Sequence, residues 1–332
     1  DTYRYAIDAA QLDWLGTSDH NEVTGGKWPD GLRDYQWWTV QKTVDLMTHA
    51  PAFIGVYSYE HSMSRPGGHR NILFLKRGAP LRMIDRDKGL TSADNSPPEL
   101  WKWMEANVFK QPGQRSVIVP HTFGAGPLAD FNWPNARFDC LLEMYQGCRG
   151  SYEAWRMPAG EKRGGTQVDE KGHFAQDALA VGNVYGFVSF SDHGSTHNSW
   201  AAIWAPTVDR AGILAGMYDR RTYAASDEMI LKVTADGKHM PGEEFSAPAA
   251  KAPLIEASIE APDTILRIDI VKDAKYVFTT RPNSKTATVK WRDNETKPGK
   301  SYYYMRVFQR DTENPQGDPE IGWVSPFYVT YQ

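Results

Sequence analysis

An α/β domain with a mainly parallel sheet, followed by a small antiparallel β domain, is what this sequence of 332 residues predicts. Three observations carry that expectation. From residue 1 to about 235, short apolar runs alternate with segments of helical periodicity, the pattern of strands joined through helices. Near 237–253 the composition shifts to Gly, Pro and Ala in "GKHMPGEEFSAPAAKAP", which reads as a linker. Beyond it, β-branched and aromatic runs follow one another with no helical segment between them. The expected division is therefore 1–236, a linker at 237–253, and 254–332.

The elements follow in order. "LDWL" (12–15) is a short apolar run that gives way to Gly16, Asp19, His20 and Glu22 in "GTSDHNE". "DYQWWTVQKTVDLMTHA" (34–50) is helical, and "AFIGVY" (52–57) is a strand followed by "SYEHSM". "SPPELWKWMEANVFK" (96–110) opens with Ser96 before a proline pair, a good helix start, and keeps its apolar residues at helical spacing. "RSVIVP" (115–120) leads into "HTFG", and "VYGFVSF" (184–190) into "SDHGSTH". In the last third, "ILRIDIV", "YVFTT", "TATVKW", "SYYYMRVFQ" and "SPFYVTY" are strands, separated by turn signals such as "KPGK" and "NPQGDP". The parallel sheet of the first part is either open or closed into a barrel.

Bulk numbers exclude some functions. At 41% hydrophobic residues the chain can bury a large core. A net charge of -4 argues against a nucleic-acid binder that works by neutralising phosphates. No apolar run approaches the roughly 20 residues needed to span a bilayer. The missing initiator methionine and the all-β appendage favour an exported protein over a cytoplasmic one. Cys140 and Cys148 lie in "DCLLEMYQGCRG". A straight strand between them would hold the sulfurs about 26 Å apart at roughly 3.3 Å per residue, so a disulfide needs a sharp turn.

Chemistry concentrates at the strand ends. Of nine histidines, His20, His69, His121, His193 and His197 lie in or just after strand-plus-loop units, and Glu60 and Asp192 stand at comparable places. In a parallel sheet such ends converge on one face, where residues far apart in sequence meet. Imidazoles and carboxylates gathered there suit divalent transition metals, which activate water and, when paired, clamp an in-line displacement at phosphorus. Each piece alone has a plain alternative: "SDH" is also a helix N-cap and "YEHS" a surface turn. Recurrence at four strand ends favours the metal reading. His49, His61, His173 and His239 share no such placement and read as structural.

"LDWLGTSDHNE", "YEHS" with "GGHRNILF", "IVPHTF", "YQGCRGSYE" and "GFVSFSDHGSTH" together resemble the PHP (polymerase and histidinol phosphatase) family, and more narrowly its DUF3604 branch. "GKSYYYMRVFQRD" and "GWVSPFYV" are similar to that branch's C-terminal β region. The resemblance implies a distorted (β/α)7 barrel that holds up to three metals, typically Zn, Mn or Fe, and hydrolyses phosphoesters. It implies metal ligation by His20, Glu60 (bridging), His69, His121 and Asp192. Asp192's partner is His193 or His197; His193 is favoured, with His197 close behind or binding substrate. The family's opening His-x-His strand has no counterpart in 1–13: either an upstream segment or a partner chain supplies the barrel's first strand and its ligands, or the chain is a degenerate relative that lacks two or three of them.

Other residues fit a small anionic, phosphorylated substrate. Arg149 follows an apparent strand and could clamp a phosphate bidentately, as could Arg65 and Arg70 beside His69; for each arginine the alternative is a solvated surface charge or an ion pair with Glu153 or Glu143. Asp19 is placed to orient His20 or to hold a coordinated water. The leading expectation is a metal-dependent phosphoesterase. Its rivals are a non-catalytic barrel that binds glycans or protein, and a hydrolase of non-phosphate bonds using the same ligands.

Overall fold

Two long helices form where apolar residues recur three and four positions apart. Asp34–Met47 buries Trp37, Gln41 and Val44 on one face and carries Asp34 in its first turn, where a carboxylate complements the helix dipole. Pro97–Asn107 starts after Ser96 with proline in the first turn and buries Pro97, Leu100 and Met104. The computed structural model describes residues 2–23, 33–85, 96–124, 128–133, 135–155, 170–193, 196, 198–311, 313 and 317–332. The chain divides into two units, Asp1–Cys140 with Ala205–Tyr218, and Leu141–Trp204 with Asp219–Gln332.

In the first unit, short parallel pairings hold Trp14–Leu15 beside Ile54–Gly55 and Glu22–Val23 beside Ile84–Asp85. Three longer strands form an antiparallel sheet in the order Tyr57–Ser62, His69–Phe74, Ser116–Pro120. Side chains alternate across a strand, so this register sorts them into two faces. Tyr57, Tyr59, Ile72, Phe74 and Ile118 enter the core with Trp37, Val44, Leu100 and Met104. Ser58, Glu60 and Ser62, with His69 and Asn71, occupy the opposite face. The connection 63–68 between the first two strands reads "MSRPGG" and ends at Gly68, whose φ of +67° favours glycine. A Cβ there would also lie 2.7 Å from that of Ala129.

In the second unit, Leu141–Gln146 pairs in parallel with Gly186–Phe190 and, on its other edge, antiparallel with Gly150–Ser151. A ten-stranded sheet makes up most of the rest, built around the long strand Leu254–Lys272. Leu231, Val233, Ile255, Ile259, Ile268, Ile270, Met305 and Val307 are buried in its core.

The expected (β/α)7 barrel is not what forms. Among the described residues the strands fall into five separate sheets, because "SYEHS" continues as a strand and turns back on "HRNILF" instead of entering a helix. The C-terminal strands read from sequence all appear, but their sheet also takes in Trp200–Ile203, Thr222–Ala225, Ile230–Ala235 and Glu244–Ala247. The last of these lies in the stretch read as a linker and runs parallel to Phe327–Tyr331, so the sheet is not purely antiparallel. The units divide at 140, 204 and 218, while the composition changes at 237–253. Both cysteines are free thiols.

Candidate metal centre

The segment 13–21 has little regular pairing, yet it is fixed beside 54–62 by single contacts. Ile54 and Val56 donate to the carbonyls of Asp13 and Leu15, at 2.9 and 2.8 Å. Gly16 lies so close to Ser58 that a Cβ would meet its Oγ at 2.6 Å. Ser58 Oγ donates to the Thr17 carbonyl at 2.7 Å, and Ser18 Oγ to Asn71 Oδ1 at 2.5 Å. The Glu60 amide then donates to the Asp19 carbonyl at 2.9 Å. These contacts bring His20 alongside Glu60.

Three imidazoles meet one carboxylate oxygen. Glu60 Oε1 is in contact with His69 Nδ1 and lies 3.3 Å from His121 Nε2 and 3.4 Å from His20 Nδ1. The rings of His20 and His69 stand edge to face with centroids 5.3 Å apart, and those of His69 and His121 are 6.0 Å apart. Glu60 is 5% exposed in its side chain and His20 35%, so the cluster is buried on the sheet side and open at His20. His20, Glu60 and His69 can each turn one ligand atom toward a common point, with those atoms within 4.8 Å of one another.

The electrostatics follow from burial and from these neighbours. Burial opposes the charge on Glu60, but His121 and then His69 outweigh it and hold the carboxyl well below the usual range. Burial lowers His69, against the pull of Glu60, and so favours the neutral ring that binds metals. Among the described residues, His69 Nε2 is buried with no hydrogen-bond partner, and Glu60 Oε1 makes none of good geometry. Buried polar atoms are normally satisfied, so these mark where a cation fits. Three imidazoles and a carboxylate suit a divalent transition metal.

In the second unit the other expected residues gather around Asp192. The hairpin after Leu141–Gln146 is tight: Gly147 leaves no room for a Cβ beside Asn198, and Gly150 has φ +91°. It presents Cys148 and Arg149. Asp192, itself at φ +55°, follows the neighbouring parallel strand. Arg149 Nη1 contacts Asp192 Oδ2 and donates to Gln146 Oε1 at 2.6 Å; Cys148 Sγ lies 3.3 Å from the same Asp192 oxygen. Burial and Asp192 push the Cys148 thiol up to about 11. His193 Nε2 is 3.6 Å from Asp192 Oδ1 on a ring that is 68% exposed. His197 lies outside the described residues. Asp19 is exposed overall and its carbonyl accepts the Glu60 amide, while partial burial raises its carboxyl against the pull of His20. Arg65 pairs with Asp130 at 3.7 Å, and Arg70 is buried with Asp139.

Sequence reasoning missed the polar residues that hold these groups. Ser62 Oγ is 2.6 Å from His20 Nδ1, Thr122 Oγ1 accepts the His69 amide at 2.7 Å, and Asn21 ties the segment to Ser62. The period of two in "YSYEHS" and "HRNILF" was the signal that could have found Ser62 and Asn71.

A scan against protein-family models finds no match, and a search of curated proteins finds none either. Among solved structures, the chain is similar to a two-domain protein from Bacteroides vulgatus described as containing a predicted PHP-like metal-dependent phosphoesterase. The identity is 12% and the TM-score 0.43, over 99% of this chain and 89% of that one. It is also similar to fibronectin(III)-like modules of Clostridium thermocellum CbhA, at 13% identity and a TM-score of 0.17, over 31% of this chain and 97% of that one. Neither likeness is strong enough to decide the fold.

Proposed function

We propose that this protein is a metal-dependent hydrolase of the phosphoesterase type, with His20, Glu60, His69 and His121 holding a divalent transition metal such as Zn, Mn or Fe. One observation carries the reading: a buried carboxylate ringed by three imidazoles, beside a buried His69 nitrogen with no hydrogen-bond partner among the described residues. A structural histidine cluster would satisfy that nitrogen with the protein's own groups. A cation bound there supplies Lewis-acid activation of water and of a phosphoryl oxygen. Glu60 supplies the negative charge, His69 and His121 the buried nitrogens, and His20 stands at the open side where substrate enters.

The motifs' resemblance to the PHP family and its DUF3604 branch supports the same chemistry. By that resemblance Asp192 with His193 or His197 are the further ligands proposed, Arg149 the group that holds a small phosphorylated anion, and Asp19 an orienting group. A non-catalytic protein that binds glycans or another protein is the second reading, favoured by one observation: Arg149 is already engaged by Asp192 and Gln146.

Metal content by mass spectrometry, on protein purified without chelators, tests the proposal. At least one transition-metal ion per chain is expected, lost in Glu60→Ala and His121→Ala together with metal-stimulated hydrolysis of phosphoesters. Wild-type protein with no bound metal overturns the reading. Bound metal without hydrolysis favours the second one.

A further inference from the structure

His20 sits at the open side of the cluster, on a segment with almost no regular strand pairing, so something other than a sheet must fix it. The neighbouring Asn21 is fully buried. Its amide donates to the Glu60 carbonyl at 3.0 Å, and its carbonyl accepts from Ile84 at 3.1 Å. Its side chain uses every polar atom. Oδ1 accepts the Ser62 amide at 2.9 Å; Nδ2 contacts the Arg82 carbonyl and lies 2.6 Å from His61 Nδ1.

These partners fix the orientation of the carboxamide. A backbone N–H can only donate and a carbonyl can only accept, so Oδ1 must face Ser62 and Nδ2 must face Arg82. The second Nδ2 hydrogen then points at His61, and His61 Nδ1 has to be the acceptor. His61 therefore carries its proton on Nε2. This ring is 1% exposed and lies on the face of its strand away from Glu60. The same carboxamide that receives His61's lone pair grips Ser62, and the Ser62 hydroxyl meets His20 Nδ1 at 2.6 Å.

We infer that Asn21 and His61 form a positioning pair for the metal ligand His20: His61, in one tautomer, locks the Asn21 carboxamide, which sets both the chain beside His20 and the strand end that carries Ser62. The inference rests on the metal reading above but concerns residues that touch no metal. Groups that orient metal ligands typically change affinity by about ten- to a hundredfold when lost.

The test is titration of the metal-free full chain with Co2+, followed by absorption spectroscopy. Asn21→Ala and His61→Leu are expected to weaken Co2+ binding at least about tenfold. His61→Gln, whose carbonyl can accept the same N–H, is expected to stay within about threefold of wild type, since it restores the bond. Asp209→Ala, a change at an exposed helix start in the same unit, is the control for stability lost without touching the site. In the metal-free protein, 15N spectroscopy of the imidazoles is expected to show one ring, absent in His61→Gln, with a protonated Nε2 and a bare Nδ1. Wild-type affinity in His61→Leu, or a His61 ring protonated on Nδ1, overturns the positioning role and leaves the metal reading intact. Failure of the wild type itself to bind Co2+ overturns both.

Discussion

Two buried carboxylates in this protein have opposite surroundings. Glu153, in the second unit, accepts Tyr304 Oη at 2.5 Å on one oxygen and Arg306 Nη1 and Trp323 Nε1 at 2.6 and 2.9 Å on the other. Arg306 reaches on to Asp269 at 3.0 Å, and Asp269 accepts Arg267 Nε and Thr279 Oγ1 at 2.7 Å each. Glu60, in the first unit, has three histidines around Oε1 among the described residues. A guanidinium is permanently charged and an imidazole is not. Glu153 is thus closed by groups that cannot leave, and Glu60 by groups that can give up a proton and take a cation. The first arrangement serves the fold and the second a ligand.

Breaking the closed network should have the largest effect. Arg306→Met leaves Glu153 and Asp269 buried without their common cation, and a loss of about 3–5 kcal/mol is expected in urea unfolding. The isosteric Glu60→Gln, measured metal-free at pH 8, removes a carboxylate whose partners can stay neutral; a change of about 1 kcal/mol or less is expected. Equal losses in the two variants would erase the distinction between them.

A smaller effect should come from the backbone that presents His69. Gly68→Ala places a Cβ 2.7 Å from Ala129 Cβ and 2.9 Å from Thr122 Oγ1, at a φ of +67°. The strain should cost about 1–3 kcal/mol. Because Thr122 Oγ1 also receives the His69 amide, Co2+ affinity should fall with it. Unchanged affinity in a destabilised variant would show that the hairpin loop supports the fold without setting the site.

How far the sequence disclosed this centre depends on which interaction placed each residue. His20, Glu60, His69 and His121 were legible because each lies in or just after a strand-plus-loop unit, and apolar runs make strands in many settings. Their geometry was not legible. Convergence at the C-terminal ends of parallel strands was the expectation, and it describes Arg149 and Asp192, which follow adjacent parallel strands. The Glu60 cluster instead arises on one face of an antiparallel sheet, with Glu60 inside its strand, His69 at the start of the next and His121 just past the third. The loop "MSRPGG" carried that information in its Pro-Gly-Gly, but a six-residue connection has no single turn type to announce a hairpin. Asn21 was invisible for another reason: its importance lies in five partners from two segments, 60–62 and 82–84, which no local pattern encodes.

The smallest effect concerns a third kind of carboxylate, exposed and held by backbone. Asp209 Oδ1 accepts the Gly212 amide at 2.7 Å and the Thr207 hydroxyl at 3.0 Å, just before the helix Arg210–Tyr218. The site demands glycine at 212, since a Cβ there would collide with the Thr207 carbonyl. Asp209→Ala removes the cap and should cost about 1 kcal/mol. The Gly212 amide, with Thr207, lowers the carboxyl below its ordinary value. A depressed acid stabilises the fold fully above its unfolded pKa, about 3.9, and loses that contribution as pH falls through the lower folded value. The difference between wild type and Asp209→Ala in urea unfolding should therefore be constant from about pH 5 to 8 and shrink below about pH 4. A difference that stayed constant down to about pH 2 would mean the protonated side chain caps as well as the ionised one, and that exposed and buried carboxylates here are not held by the same electrostatics.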